Sequence, residues 1–327
     1  MRALVTGATG FLGSHLVERL ASEGIETICL VLPGDDLHWI GDLDVEIIEG
    51  DCTEKDSLRP ALDRAPDLIF HLAGIANAPT ADVYQQVNAL GTRNLVELCL
   101  ERELALDRFV FSSSASVMGP SNGKAPWTEA DDCHPTTLYG QSKVAAEQHV
   151  RELEGHIPYT IIRVALIYGP RATHGFSMML RMAVKGFLPS TMQLRSNVIH
   201  VEDVTRCLLH VARHDAAVDR TYLLGSEDPM SLAEIANMID DALDRRILRV
   251  RIPFLMLYPI ALTYQVMGHL RGRVPQIDLR RLEDMRHRDW LIDSSRIRNE
   301  TGFVPEIDLE TGLRQTVEWF RQAVEKP

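Results

Sequence analysis

Leu4-Val5-Thr6-Gly7-Ala8-Thr9-Gly10-Phe11-Leu12-Gly13-Ser14 is the stretch that decides the fold. A short apolar strand runs into three glycines at GxxGxxG spacing, and the residues from Ser14 to Leu20 read as a helix. Glycine at such a turn lets backbone approach a pyrophosphate, and amides at a helix N-terminus point toward its negative charge. The spacing differs from the general GxGxxG dinucleotide fingerprint, so a plain strand-turn-helix connection is the alternative. The strand before and the helix after argue against that alternative.

Outward from this turn, strand-like and helix-like segments alternate. Leu4 to Thr6, Thr27 to Leu32, Val45 to Ile48, Leu68 to His71, Phe109 to Ser112 and Thr160 to Val164 read as short buried strands. The stretch from Tyr84 to Leu104 reads as one amphipathic helix, with Val87, Leu90, Leu95, Leu98 and Leu104 forming its apolar stripe. Alternation of this kind predicts an α/β fold, a Rossmann-type doubly wound parallel sheet covered by helices on both faces. After Gly169 the rhythm loosens, with turn signals at Gly186, Pro189, Gly225, Pro229, Gly302 and Pro305. The expected division is a dinucleotide-binding domain over 1–168 and a smaller, mainly substrate-binding α/β cap over 169–327, with some segments returning to the first domain.

The 327 residues carry a formal net charge of −12, which disfavours nonspecific attraction of the whole chain to nucleic acid or to an anionic membrane. Arg271, Arg273, Arg280, Arg281, Arg286 and Arg288 cluster locally, but acids and apolar residues interleave them and a solvated face is expected. Cys29, Cys52, Cys99, Cys133 and Cys207 form no CxxC pair and no metal-ligand spacing, so no metal site is expected and a reducing cytoplasm fits. The opening residues lack the pattern of a signal peptide. The longest apolar stretch, Ile252 to Met267, is shorter than the ~20 residues of a bilayer span and contains Pro253 and Pro259; contact with a membrane surface is its limit.

Discrimination between NAD and NADP belongs near the end of the second strand, where an acid accepts ribose hydroxyls or an arginine accepts a phosphate. That region reads Leu32-Pro33-Gly34-Asp35-Asp36, two acids without a nearby base, which favours NAD and leaves NADP open. Plain turn chemistry is the alternative reading of both acids. Asp51, followed by Cys52 after the third strand, is a candidate for adenine contact or an ordinary loop acid.

Tyr139 and Lys143 stand four apart at the start of a predicted helix, hence one above the other with Cβ atoms ~5 to 6 Å apart. An ammonium there stabilises phenolate and lowers the tyrosine pKa from ~10 toward neutrality, where the phenol serves as general acid or base. Ser112-Ser113-Ser114 closes a predicted strand, and ligands of such sheets bind beyond the carboxyl ends of the strands. A serine there can polarise a carbonyl; capping of local backbone is the expectation for Ser112 and Ser113. His71 is expected to pack at its strand end and to take no part in proton transfer.

Taken together and in this order, Gly7 to Gly13, His71-Leu72-Ala73-Gly74, Asn88 with Gly91-Thr92, Ser112 to Gly119, Tyr139 to Lys143, Arg163 with Tyr168-Gly169-Pro170, and His200-Val201-Glu202-Asp203-Val204 resemble the extended short-chain dehydrogenases, the NAD-dependent epimerase/dehydratase family. The resemblance extends to Gly302-Phe303-Val304-Pro305 and Gly312 to Phe320. It implies Tyr139 as acid/base, Lys143 as the group that binds nicotinamide ribose and tunes Tyr139, and Ser114 as the substrate-orienting hydroxyl. It implies cofactor contacts from Gly7, Thr9, Gly10, Phe11, Leu12, Gly13, Asp35, Asp51, Cys52, Leu72, Ala73, Gly74, Asn88 and Ser112, besides Tyr139 and Lys143. A homodimer through the helices near Tyr84 to Leu104 and Tyr139 to Glu154 is implied as well.

The chain departs from the family pattern in places. Met118 replaces a frequent aromatic, and Val164 a frequent proline. Leu166 stands where many members acting on nucleotide-linked sugars carry asparagine, which weakens a nucleotide-sugar assignment. In Leu188-Pro189-Ser190-Thr191-Met192-Gln193-Leu194-Arg195 the usual Gly-Asp-Gly is missing, and Arg195 is a candidate for a phosphate or carboxylate, or a surface arginine. Pro253 to Met267 looks like the apolar helix of members that act on sterol-like alcohols, with core packing as the alternative.

The expected activity is reversible hydride transfer between NAD(P) and a secondary alcohol or ketone of a small, possibly hydrophobic substrate. The alternatives are a nucleotide-sugar epimerase or dehydratase with internal redox cycling, and a catalytically silent dinucleotide-binding sensor.

Overall fold

The computed structural model describes the chain except residues 124, 173–179, 181, 190–194, 245, 251–252, 271–288 and 326–327. The six arginines of the basic cluster and Ser190 to Leu194 therefore lie outside the described residues.

Strands β1 (Arg2–Thr6), β2 (Glu26–Val31), β3 (Glu46–Glu49), β4 (Leu68–His71), β5 (Arg108–Ser114) and β6 (Tyr159–Val164) alternate with helices α1 (Phe11–Ser22), α2 (Arg59–Leu62), α3 (Ala81–Tyr84), α4 (Gly91–Glu101) and α5 (Leu138–Arg151). All six strands expected from the sequence are present. The same sheet takes a seventh strand from the second half, Arg220–Leu224, which pairs in parallel with β6. Every pairing in this sheet is parallel, in the order Arg220–Leu224, β6, β5, β4, β1, β2, β3. The order reverses between β1 and β4, the place where sheets of this kind open a crevice at their carboxyl edge.

The strands are apolar along their length because both faces are covered. Successive residues feed opposite layers: Ala3 and Val5 join one buried cluster and Leu4 the other, and Phe70 and Ile69 divide in the same way. Helix Val201–Arg213, from the second half, packs in the first cluster against α1, so part of the C-terminal half completes the sheet domain. A separate cluster of Tyr168, Val198, Ile235, Ile239, Leu313, Val317 and Phe320 forms the core of the cap.

Two glycines fix the crevice. Gly7 has φ +68, and a Cβ on it would stand 2.9 Å from the backbone of Ala73 at the end of β4. A Cβ on Gly13 would stand 2.0 Å from the Gly7 carbonyl oxygen, so α1 starts against the turn only because no side chain intervenes.

The predicted helix from Tyr84 to Leu104 is not continuous. Between α3 and α4, Gln85–Leu90 form a π-helical turn. The wider turn changes the phase of the face: Asn88 and Ala89 are buried, whereas Leu90, assigned to the apolar stripe by 3.6-residue periodicity, is 37% exposed.

Gly13→Ala is expected to destabilise the fold by about 1–3 kcal/mol or more through overpacking. A urea unfolding midpoint unchanged from the wild type contradicts this packing.

Candidate active site

Helix α1 begins at Phe11 with Gly10 as its N-cap and without a side-chain cap, so its first amides are left to the crevice. Beside it, Thr9 Oγ1 donates to Asp35 Oδ2 at 2.7 Å, and the Leu32 amide donates to the same carboxylate oxygen at 3.2 Å. Asp35 is thus both a turn residue and a neighbour of the glycine turn. Asp36 is a turn residue, its carboxylate accepting the His38 amide at 2.9 Å. Asp51 closes a local turn by accepting the Thr53 amide at 2.8 Å. Cys52 is buried, which pushes its thiol up to about 12 and keeps it inert. Asn94, not singled out from the sequence, clips this loop to α4 by donating to the carbonyls of Cys52 and Thr53 at 2.9 and 3.2 Å.

Below the crevice His71 is fully committed. Thr92 Oγ1 donates to the Asn88 carbonyl at 2.6 Å, so its oxygen accepts from His71 Nε2 at 2.9 Å, and the Thr6 hydroxyl donates to His71 Nδ1 at 2.7 Å. Burial drives the imidazole down to about 3, with the Lys143 charge acting in the same direction; His71 is neutral and structural.

The π-helical turn aims Asn88 into the site. Its side-chain oxygen accepts the Ile75 amide at 2.8 Å; its amide donates to the Ile75 carbonyl at 3.0 Å and to Ser142 Oγ at 2.9 Å. One side chain thereby joins the loop after β4 to α5. Gly74 lies in the same corner, where a Cβ would stand 3.0 Å from Asn88 Oδ1 and 3.3 Å from Lys143 Nζ. Leu72 and Ala73 continue β4 into this loop, the Leu72 amide donating to the Thr6 carbonyl and the Ala73 amide to Thr6 Oγ1.

Helix α5 starts under a Thr137 cap, whose hydroxyl accepts the Gly140 amide at 2.8 Å. Its first turns carry Tyr139 and Lys143. Lys143 is buried, donates to the Ser112 carbonyl at 2.9 Å, and has its ammonium 4.7 Å from the centre of the Phe111 ring. Desolvation lowers it to about 8, with Glu147 opposing that shift. Tyr139 is half-buried, 6.2 Å from the Tyr84 ring centre to centre. Burial pushes its phenol up to about 12, with Tyr84 adding to the rise and a hydrogen bond with Ser114 working against it. The lowering toward neutrality expected from the four-residue spacing is therefore not what the structure gives. The ammonium is engaged on Ser112, and desolvation of the phenol dominates.

The serines divide. Ser112 contributes its carbonyl, Ser114 its hydroxyl to Tyr139 and to the Ser116 amide at 3.2 Å. Ser113, expected to cap backbone, instead donates to Glu147 Oε1 at 2.6 Å. Glu147 is 1% exposed and is gripped by Arg163 through both carboxylate oxygens, at 2.9 and 2.8 Å, and by Arg151 at 2.9 Å. The arginine holds its carboxyl below the usual range in spite of burial. Met118 and Cys133 complete the shell, their sulfurs each 3.1 Å from Arg163 nitrogens. Glu147 was legible as the next member of a Tyr139, Lys143, Glu147 series at i, i+4 spacing.

Leu166 and Arg195 lie on small strands outside the seven-stranded sheet. Leu166 begins the strand Leu166–Tyr168, pairs with Val198 and packs half-buried on the cap core. Arg195 is exposed on a small strand of the cap, opposite Ser231 and Asp289.

An open glycine cradle, uncapped helix amides, and a carboxylate beside the turn fit a dinucleotide. Residues 3–225 match the model of the NAD dependent epimerase/dehydratase family. The chain belongs to this family. Its fold is the family's α/β fold, and it is an NAD-dependent enzyme. It is 26% identical over 333 residues to UDP-glucose 4-epimerase of Vibrio cholerae, covering 98% of this chain and 95% of that one. It is 28% identical over 329 residues to ceramide reductase of Caulobacter vibrioides, covering 98% and 94%. The solved UDP-glucose 4-epimerase of Thermus thermophilus in complex with NAD superposes with a TM-score of 0.80 at 21% identity, over 99% of this chain and all of that one, a likeness of fold. Among the described residues of this epimerase/dehydratase family member no helix is long and apolar enough to cross a membrane, and no group of residues could hold a metal ion.

Two measurements test this electrostatic picture. Lys143 is lowered from 10.5 to about 8, so between those values the unfolded chain binds the extra proton and the stability that Lys143 contributes rises with pH. The stability of the wild type relative to Lys143→Met should rise by up to about 3 kcal/mol across that window in urea titrations; a pH-independent difference contradicts a buried ammonium. Glu147→Gln, which strands the Arg163 charge, should cost about 3–5 kcal/mol. Glu147→Gln with Arg163→Met should cost clearly less than the sum of the two single changes, and strict additivity counts against a coupled pair.

Proposed function

We propose that the chain is an NAD-dependent oxidoreductase acting on a secondary alcohol or ketone of a small, hydrophobic substrate, with Tyr139, Ser114 and Lys143 as the catalytic residues. The observation that carries this reading is the juxtaposition of Ser114, at the carboxyl end of β5, with Tyr139 in the first turn of α5, where the Ser114 hydroxyl works against the rise of the phenol, and Lys143 one helical turn along. Two hydroxyls at one point serve a single carbonyl or carbinol oxygen.

When bound, the nicotinamide cofactor supplies the two-electron acceptor or donor for the carbinol carbon. Gly7, Thr9, Gly10, Phe11, Leu12 and Gly13 would hold its pyrophosphate, and Asp35 its adenosine ribose, with Asp51 and Cys52 beside the adenine. Leu72, Ala73, Gly74, Asn88, Ser112 and Lys143 would line the way to the nicotinamide end. Ser114 orients the substrate oxygen. Tyr139 donates a proton to that oxygen during reduction, for which a phenol raised to about 12 is in the correct form at neutral pH. In the oxidative direction it accepts that proton as the phenolate, the form that rising pH favours.

A hydrophobic substrate is favoured by Leu166, half-buried on the apolar cap core, and by the likeness to ceramide reductase. The second reading, epimerisation or dehydration of a nucleotide sugar, is favoured by the likeness to the Vibrio cholerae epimerase; Arg195 is its candidate phosphate contact. A division near residue 168, a cytoplasmic location consistent with five free thiols, and a homodimer through α4 and α5 belong to the same proposal.

Tyr139→Phe is expected to lower turnover of a lipophilic secondary alcohol, followed by NADH absorbance, by about 10²–10⁴-fold while NAD binding by calorimetry is retained. Near-normal turnover in the purified variant overturns the assignment of Tyr139.

A further inference from the structure

Arg171 follows the strand Leu166–Tyr168 and has φ +65, the left-handed region in which a Cβ is strained and glycine is favoured. A strained position that keeps a long side chain directs attention to what that side chain does. It is 13% exposed and reaches back to the half of the molecule that bears the glycine turn. Nη1 donates to Ser14 Oγ at 3.3 Å and Nη2 to Glu18 Oε1 at 2.5 Å, residues one turn apart on α1. Next to it the Pro170 carbonyl accepts from His15 Nε2 at 3.1 Å. The first two turns of α1 are thus fastened, through Ser14, His15 and Glu18, to Pro170 and Arg171.

The guanidinium has a second engagement. Its carbon stands 4.4 Å from the centre of the Trp39 ring, in the connection between β2 and β3. Trp39 lies four residues after Asp35, whose carboxylate accepts the Thr9 hydroxyl of the glycine turn. On its other side is Trp319 of the helix Leu309–Glu325, with ring centres 6.2 Å apart. Arg171 therefore sits between the two pieces of chain that frame the cradle: α1, with its uncapped first amides, and the loop that carries Asp35. Glu18 balances its charge, so its effect on an anionic ligand is one of placement and not of net attraction.

We propose that Arg171 is a positioning residue for the adenosine diphosphate half of the cofactor, holding α1 and the Asp35 loop at the spacing that the dinucleotide requires. Each piece offers a different contact, amides for a pyrophosphate and a carboxylate for a ribose. A ligand that must meet both binds more tightly when the two are fixed in advance. Lysine is no substitute, because a single ammonium cannot fork between Ser14 and Glu18 while laying a planar face on Trp39. The inference rests on the NAD dependence of the chain and not on the reaction at Tyr139.

The test is calorimetry of the full-length protein with NAD and with ADP-ribose, which lacks the nicotinamide. Arg171→Met and Arg171→Gly are expected to weaken both ligands by about tenfold and by the same factor, with single-site binding retained. Arg171→Lys should recover only part of the loss, and full recovery contradicts the fork. Arg171→Gly is the decisive variant, because glycine takes φ +65 without strain and only the side chain is lost. A folded Arg171→Gly that binds ADP-ribose like the wild type overturns the proposal and leaves Arg171 a brace of the fold alone. A loss confined to NAD, with ADP-ribose unaffected, overturns it too, since the effect then lies at the nicotinamide end. If melting curves show neither variant folded, Trp39→Leu decides: several-fold weaker ADP-ribose binding supports the clamp on the Asp35 loop, and wild-type affinity contradicts it.

Discussion

The backbone of Gly7 lies against that of Ala73 where β1 and β4 end side by side, and this close approach governs the site. With no Cβ in the gap, the turn after β1 folds over the end of β4, and α1 begins against the Gly7 carbonyl with its amides free. The same contact brings Thr6 under the Ala73 amide and against His71. From there a chain of hydrogen bonds runs through His71 and Thr92 to the Asn88 carbonyl, and the Asn88 side chain carries on to Ser142 on α5. The two halves of the crevice, one suited to a pyrophosphate and one bearing Tyr139, are therefore mechanically joined by groups that are themselves buried and neutral.

Charge is handled one layer further in. Lys143 is desolvated yet stays near its partner carbonyl, and Glu147, one turn along the helix, opposes the loss of its proton. Glu147 is in turn neutralised by Arg163 on β6 and fixed by Ser113 on β5. A buried ion pair is weak evidence for net stability. Its effect here is geometric: it locks the face of α5 that bears Lys143 to the two strands whose ends define the site.

Much of this was legible in the sequence. Both-face burial gives each strand a near-continuous apolar run, so Leu68 to His71 and its neighbours stand out, and the glycine turn is marked by spacing and position. What escaped was what depends on the third dimension. The π-helical turn hides from a 3.6-residue period, because the residue it turns inward is the polar Asn88 and the one it turns outward is Leu90. Spacing placed Tyr139 above Lys143, but not the desolvation that raises the phenol or the carbonyl that engages the ammonium. Ser113 looked like a loop hydroxyl because its partner lies 34 residues away. The apolar stretch after Pro253 read as the apolar helix of sterol-type members or, more readily, as core, and the exposure of Leu255, Leu262 and Val266 was not legible in its composition.

Net exchange of electrons with the outside distinguishes the proposed oxidoreductase from an enzyme that returns them to the same substrate, and the difference lies in whether the cofactor leaves. The direct measurement is mass spectrometry and absorbance of small molecules released when the purified protein is mildly denatured, with titration of NADH and NADPH into the native protein. The proposed reaction predicts substoichiometric release and reversible binding, tighter for NADH than for NADPH given Asp35 beside the glycine turn. Equimolar NAD retained through purification and exchanging only on denaturation contradicts net hydride transfer and points to internal redox cycling.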